Sequence, residues 1–370
     1  MMSMMQDTVE VRVPATTANL GSGFDTVGLA LDFHDSLSFT LGESDDDAVS
    51  VDIEGEGAET LPRDASHLVI TSFRRAAADL GLPLRKLHLS AHNRIPQARG
   101  MGSSAEAIVA GIAAAHAFAN DGVIDRDDVF AAAAAIEGHP DNVAPAVYGG
   151  LTFSWKLGDD AGDGDARVIT AQQVHRESAS EPQTVPAHAL PAGYHTVRYP
   201  VSADIHAYVF VPDFALSTSE ARNALPQQIP YQDAIYNVSR VGLLPAAMCP
   251  ASFGGQAGGT GDRASASNPA AGIQGSGLNG NELLFCATQD ALHQGYRAPL
   301  MRQSSQLLGT LRAEGFAATI SGAGPCVLVL RYGDIEQRLR ALAGPQLDSG
   351  HWRLLPLAID LAGVQVERRQ

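Results

Sequence analysis

One segment constrains this chain more than any other. Pro96-Gln97-Ala98-Arg99-Gly100-Met101-Gly102-Ser103-Ser104-Ala105 joins an alternating apolar stretch (Leu87, Leu89, then Ile95) to an alanine-rich run. The alternation has the period of a strand, and the alanine-rich run predicts a buried helix over residues 104–118. A strand must therefore turn into a helix through glycines, which permit backbone conformations closed to other residues. The first N–H groups of such a helix have no partner within it and carry a partial positive charge. With two serine hydroxyls beside them, they suit phosphate oxygens. The segment is not a Walker A loop, because the required lysine is absent, and it fails the dinucleotide fingerprint at the third glycine. Alone, the same residues would also serve as an ordinary strand-to-helix turn with serine capping.

Three further segments bear on that choice. Pro14-Ala15-Thr16-Thr17-Ala18-Asn19-Leu20-Gly21-Ser22-Gly23-Phe24-Asp25 reads as a loop of small residues ending in a carboxylate. Glu137-Gly138-His139-Pro140-Asp141-Asn142 gathers polar groups between alanine-rich stretches, and Ser321-Gly322-Ala323-Gly324-Pro325 is a second glycine-rich turn. Each is compatible with a plain structural role: an Asx-type connection, a helix C-cap at Gly138, a hairpin. Together they point to an enzyme that handles a polyphosphate and a small polar substrate.

The rest of the chain alternates strand and helix patterns. Val9, Val11 and Val13 predict a strand that Pro14 should end, and residues 28–39 a second strand. Helical spacing covers 68–80, 127–137 (with Asp125 as N-cap), 235–247, 281–292 and 304–314, and residues 207–212, 316–320 and 327–330 read as strands. Residues 158–193 and 254–280 are rich in Gly and polar residues and read as insertions, the second one mobile. The class is therefore α/β or α+β. With 41 acidic and 25 basic residues the net charge is −16. That argues against nucleic acid or an anionic membrane as the main partner. No apolar run approaches the ~20 residues of a spanning helix, and the first ten residues carry no signal-peptide pattern. Cys249, Cys286 and Cys326 lie far apart, which fits a reducing compartment. A soluble, cytoplasmic protein is expected.

The four segments together resemble the GHMP superfamily of small-molecule kinases, and within it the homoserine kinase family. Residues 96–105 are similar to the motif P-x-x-x-G-[LM]-G-S-S-A, residues 14–25 to the N-L-G-x-G-F-D form of the first motif, 137–145 to E-G-H-x-D-N-[VA]-x-P, and 321–325 to the third motif. The resemblance implies an α+β fold of two domains. The first spans residues 1–155 and contains a left-handed β-α-β unit, against the usual right-handed rule; the second spans residues 156–370. It implies ATP on the loop from Pro96 to Ala105 and Mg²⁺ held by Glu137 and Ser104, which with Asp25 form the catalytic set. It further implies L-homoserine bound by Asn19, Asp25, Asn142 and Gly324, with Arg222 and Arg240 on its carboxylate. The implied reaction is ATP-dependent phosphorylation of the homoserine hydroxyl to O-phospho-L-homoserine, on the route to threonine. The alternatives are another GHMP-type kinase or a non-catalytic ATP-binding sensor. No nucleic acid or membrane is implied, and a homodimer is compatible. Met101, Glu106 and His67 depart from the family pattern: Met101 and Glu106 should leave the phosphate geometry intact, and His67 replaces an asparagine near the adenine pocket.

Overall fold

The computed structural model describes residues 7–42, 48–83, 85–158, 192–250 and 277–369. The two stretches expected to be insertions lie outside the described residues apart from their ends. The chain begins with β1 (Asp7–Asn19) and β2 (Gly23–Leu41), followed by β3 (Val49–Gly55), α1 (Leu68–Asp79) and β4 (Leu87–Asn93). Next come α2 (Ser103–Ala119), α3 (Arg126–Glu137), α4 (Val143–Tyr148), β5 (Leu151–Leu157) and β6 (Gly193–Tyr199). The remainder is β7 (Ile205–Pro212), α5 (Thr218–Asn223), α6 (Tyr231–Val241), α7 (Leu244–Met248), α8 (Gly280–Ala287), α9 (Gln294–Arg297), α10 (Arg302–Ala313), β8 (Ala317–Ile320), β9 (Val327–Tyr332), α11 (Glu336–Leu342), α12 (Gly344–Asp348), β10 (Trp352–Leu357) and β11 (Gln365–Arg369).

The strands form two sheets. One runs β11-β1-β2-β4-β3, with β5 paired to β2 and β6 to β5; the other is β10-β7-β9-β8. β3 and β4 pair in parallel with α1 between them, whereas the second sheet is antiparallel throughout. The expected cut at 155/156 falls inside β5, and both β6 and β11 return to the first sheet. The chain is thus divided by sheet, not at one point along the sequence.

The expected end of the first strand at Pro14 is corrected. β1 runs on to Asn19, and the register shifts where Pro14 pairs with His34 and Ala15 with Leu31. The irregularity absorbs a residue that cannot donate to the ladder. The helix expected over 235–247 begins earlier, at Tyr231, and divides into α6 and α7 around Gly242 and Leu243.

α2 explains its own composition. It is buried on nearly every face, with Ala105, Val109, Ala113 and Ala117 all fully enclosed. A helix surrounded in this way must carry small side chains so that α1, α3 and β1 can approach it. α1 approaches it closely at Gly111, where an added Cβ would lie 2.3 Å from Val69 O and 2.8 Å from Phe73 N. Alanine gains about 1 kcal/mol over glycine in a free helix. Overpacking against backbone costs about 1–3 kcal/mol or more. Gly111→Ala should therefore lower the denaturation midpoint with the m-value unchanged, and a raised midpoint would show that α1 yields freely.

Candidate active site

The segments singled out in the sequence meet around the start of α2. Thr16 N donates to Met101 O at 3.1 Å, and Thr16 Oγ1 to Asn142 Oδ1 at 2.9 Å. Ser321 Oγ donates to Gly100 O at 2.5 Å, with Thr17 Oγ1 2.8 Å away. Gly322 N donates to Ala18 O at 3.1 Å, and Asn19 Nδ2 to Gly322 O at 2.8 Å. Gly100 and Gly102 sit at φ +78 and +74, and a Cβ there would lie 2.1 Å from Ser321 O and 1.9 Å from Thr16 Oγ1. Only glycine fits either position. Gly102 places no side-chain cap on α2, and the helix's own bonding starts with Glu106 N donating to Gly102 O. The N–H groups before Glu106 thus lack an intrahelical acceptor, and the dipole favours an anion there.

Below this loop lies a cleft of about 490 Å³. Its walls include Gln97, Ala98, Gly100, Gly102, Ser103 and Ser104 from the loop, and Leu61, Pro62, His67, Leu68 and Val69 around the start of α1. Its polar groups include Asn19, Asp25, Glu137, His139, Asp141, Asn142, Arg222 and Arg297.

Glu137 is the last residue of α3, where Gly138 turns the chain at φ +84. Ser104 Oγ donates to Glu137 Oε2 at 2.7 Å, so two hard oxygens converge at the helix N-terminus. Asp25 is held by Arg222 through two bonds, Nη1 to Oδ2 at 3.0 Å and Nη2 to Oδ1 at 2.9 Å. Asn19 Oδ1 accepts from Asp25 N at 3.0 Å while its amide donates to Gly322. Both ends of Asn19 are therefore spent on holding the turn between β1 and β2 that leads to Asp25. His139 Nδ1 lies 2.9 Å from Asp141 Oδ1, and its Nε2 is 3.8 Å from Glu137 Oε1. Burial pulls the His139 pKa down, but the Asp141 bond and the nearby carboxylate charges outweigh it and leave it raised.

Several expected residues lie elsewhere. Arg240 does not line the cleft: its guanidinium lies 4.0 Å from the Tyr236 ring centroid and donates to Gln289 Oε1 and Ser239 Oγ. Pro96, Met101 and Ala105 are buried behind the loop, and Arg99 points away from the cleft into backbone carbonyls. Gly324 does line it, at the turn between β8 and β9. The second guanidinium on the wall is Arg297, which the sequence expectation omitted. It is buried, with Nε donating to Ala221 O at 3.1 Å and Nη1 to Gly322 O at 3.3 Å. The available signal was its place one turn after His293, whose Nδ1 it meets at 3.2 Å.

The departures from the family pattern also find their places. His67 caps α1, accepting Val69 N at Nδ1, and burial lowers its imidazole pKa. Glu106 is buried beside Asp35, and burial together with the Asp35 charge keeps it protonated well beyond the usual carboxylate range. Burial pushes Asp35 itself up to about 6, although Arg94 N and Ile95 N both donate to it.

The arrangement matches known proteins along the whole chain. Residues 67–150 match the model of the GHMP kinases N terminal domain, and residues 273–344 that of the GHMP kinases C terminal region. The homoserine kinase of Clavibacter michiganensis subsp. michiganensis is 38% identical over 97% of this chain and 94% of its own. That of Streptomyces coelicolor is likewise 38% identical, over 97% and 94%. In three dimensions, the crystal structure of homoserine kinase from Cytophaga hutchinsonii aligns with a TM-score of 0.71 at 22% identity, covering 99% of both chains. Fold and site thus define a GHMP-type small-molecule kinase with two domains. The sequence relationship is narrower, and the chain belongs to the homoserine kinase family.

The His139–Asp141 pair yields a titration. With its pKa raised above the ordinary 6.5, the bonded imidazolium adds stability that is fully present below that pH. The contribution is lost as the pH rises through the raised value. In the metal-free protein the His139 NMR resonance should titrate above that of a free histidine, and Asp141→Asn should move it down. An unchanged midpoint in the variant would mean that Asp141 does not hold the proton.

Proposed function

We propose that the loop at 97–104 holds the phosphates of ATP and that Asp25, Arg222 and Arg297 hold L-homoserine, whose hydroxyl takes the γ-phosphoryl group to give O-phospho-L-homoserine. The observation that carries this reading is the Asp25 carboxylate set beside two guanidinium groups, Arg222 and Arg297, on the wall of the cleft that also contains the open N-terminus of α2. A zwitterionic amino acid needs this complement: an anion for its ammonium group and cations for its carboxylate. Arg222 now spends its fork on Asp25. The substrate inserts its own charges into that pair, ammonium toward Asp25 and carboxylate toward Arg222 and Arg297.

Phosphoryl transfer asks mainly for alignment and for stabilisation of charge on the phosphoryl oxygens. The N–H groups at the start of α2 supply part of that stabilisation. Glu137 and Ser104 fit a hard cation, because both present oxygen and they meet at 2.7 Å. Mg²⁺ bound there would neutralise charge on the β- and γ-phosphates. His139 and Asp141 orient the Glu137 end of the cleft, and Asn142, fixed by Thr16, lines it between them and the loop. A loose transition state needs little proton removal before the bond forms. We therefore assign Asp25 to anchoring the ammonium group and not to proton abstraction.

The purified protein should convert ATP and L-homoserine to ADP and the phosphate ester, and excess chelator should stop it. Glu137→Gln keeps the shape and removes the charge, so turnover should fall by about 10²-fold or more. Normal turnover across a range of Mg²⁺ concentrations would reduce Glu137 to a helix-end residue.

The two guanidinium groups are separated from Arg240 by a second experiment. Truncating one partner of a desolvated charge pair costs roughly 2–5 kcal/mol. Arg222→Ala and Arg297→Ala should lower kcat/KM for homoserine accordingly and leave the affinity for the nucleotide alone, without homoserine, nearly unchanged. Arg240→Ala should leave both nearly unchanged. With the methyl ester of homoserine, already lacking the carboxylate charge, Arg222→Ala and Arg297→Ala should lose little more. Equal losses on ester and amino acid would contradict the carboxylate assignment.

A further inference from the structure

Arg99 stands in the middle of the phosphate loop, where a cation facing the phosphates would be expected. Its guanidinium instead donates from Nε to Pro212 O at 2.9 Å, from Nη2 to Asp213 O at 2.7 Å and from Nη1 to Gln97 O at 2.9 Å. The neighbouring backbone continues the connection. Leu216 N donates to Ala98 O at 3.0 Å, and Cys326 N to Arg99 O at 3.2 Å. The loop is thus bonded to the turn that follows β7 and to the turn between β8 and β9.

That first turn leads directly to the substrate end of the cleft. Ser217, the next residue after Leu216, caps α5 through a reciprocal bond pair with Glu220. From α5, Arg222 holds Asp25, and Ala221 O accepts from Arg297 Nε. The placement of both substrate-facing guanidinium groups therefore depends on where residues 212–216 sit, and Arg99 binds those residues to the loop.

We propose that Arg99 is a positioning residue that couples the two halves of the cleft, so that nucleotide and amino acid each strengthen the binding of the other. The element with two arrangements is the Arg222–Asp25 pair, closed on itself in this structure and opened by a zwitterion. A nucleotide that fixes the loop also fixes the Arg99 bonds to Pro212 and Asp213, and with them the position of α5 from which Arg222 and Arg297 reach a carboxylate. Linkage demands the same factor in the opposite direction. A lysine keeps the charge of Arg99 but not the planar fork that spans three carbonyls. The proposal rests on the assignment of ATP and homoserine to this cleft.

Calorimetry tests it, using a non-hydrolysable ATP analogue with Mg²⁺ and L-homoserine, each titrated alone and with the other saturating. In the wild type each ligand should tighten the other by the same factor, within the 5- to 150-fold range usual for coupled sites. In Arg99→Ala and Arg99→Lys that factor should fall toward one, while the nucleotide alone binds almost as before. If the alanine variant does not fold, the lysine variant, which keeps the charge and most of the stem, carries the same expectation. The proposal is overturned if the wild type shows no coupling, or if the variants retain it. It is also overturned if Arg99→Ala weakens the nucleotide alone and Arg99→Lys restores it, since Arg99 would then be a phosphate cation. A wild type that binds nucleotide but not homoserine overturns the substrate assignment as well.

Discussion

The close approach of the Ser321 carbonyl to Gly100 and of the Thr16 side chain to Gly102 underlies the whole site. A single methyl group at either position would overlap Ser321 O or Thr16 Oγ1 by more than an ångström of normal contact distance. Because those methyl groups are missing, three segments from distant parts of the chain approach closely enough to exchange hydrogen bonds. The hydroxyls of Thr16, Thr17 and Ser321 are wholly buried there, and each has a partner. A buried hydroxyl without one would cost about 1–3 kcal/mol, so the arrangement holds only as a complete set. The same set joins the end of β1 in the first sheet to the β8–β9 turn of the second.

The charge of the molecule is at odds with its substrates. A protein of net charge −16 has to admit a polyphosphate and an amino-acid carboxylate. The conflict is settled by distance. Charges on the outer surface are screened within about 8–10 Å at physiological salt. The dipole of α2, Arg222 and Arg297 act at contact range inside a partly enclosed cleft. Arg222 and Arg297 are both also enlisted by the fold, one on Asp25 and the other on backbone carbonyls. The cationic groups therefore stay in place without being left unpaired.

Much of this was legible in the residues. The loop at 96–105, the N-cap at Asp125, the αL stop at Gly138 and the helical spans of α1, α2 and α10 follow from local patterns, and the structure has them within a few positions. Asp25, Glu137, Ser104 and Arg222 stand in the cleft because their segments carry recognisable motifs. What stayed hidden depends on long-range geometry. Pro14 suggests a strand end, and only the partner strand shows that a change of register accommodates it. Arg240 and Arg297 carry the same charge in similar helical settings; Tyr236 and Gln289 draw one aside, while packing against Ala221 and Gly322 sets the other in the wall. Sequence spacing does not encode that difference. Nor does it show that Arg99 turns from the phosphates toward Pro212 and Asp213.

The return of β11 to β1 has a bearing on synthesis. Thr8 through Arg12 pair with Gln365 through Arg369, so one edge of β1 waits for a segment made about 350 residues later. At the ~5–20 residues per second of translation, that edge stays unpaired for roughly 20–70 s. Its alternating Val9 and Val11 would make it a template for another chain during that interval. Glu10 and Arg12 alternate with those valines and place opposite charges along the waiting strand. A nascent chain is thereby given some protection from pairing with its neighbours on the same message before its own closing strand emerges.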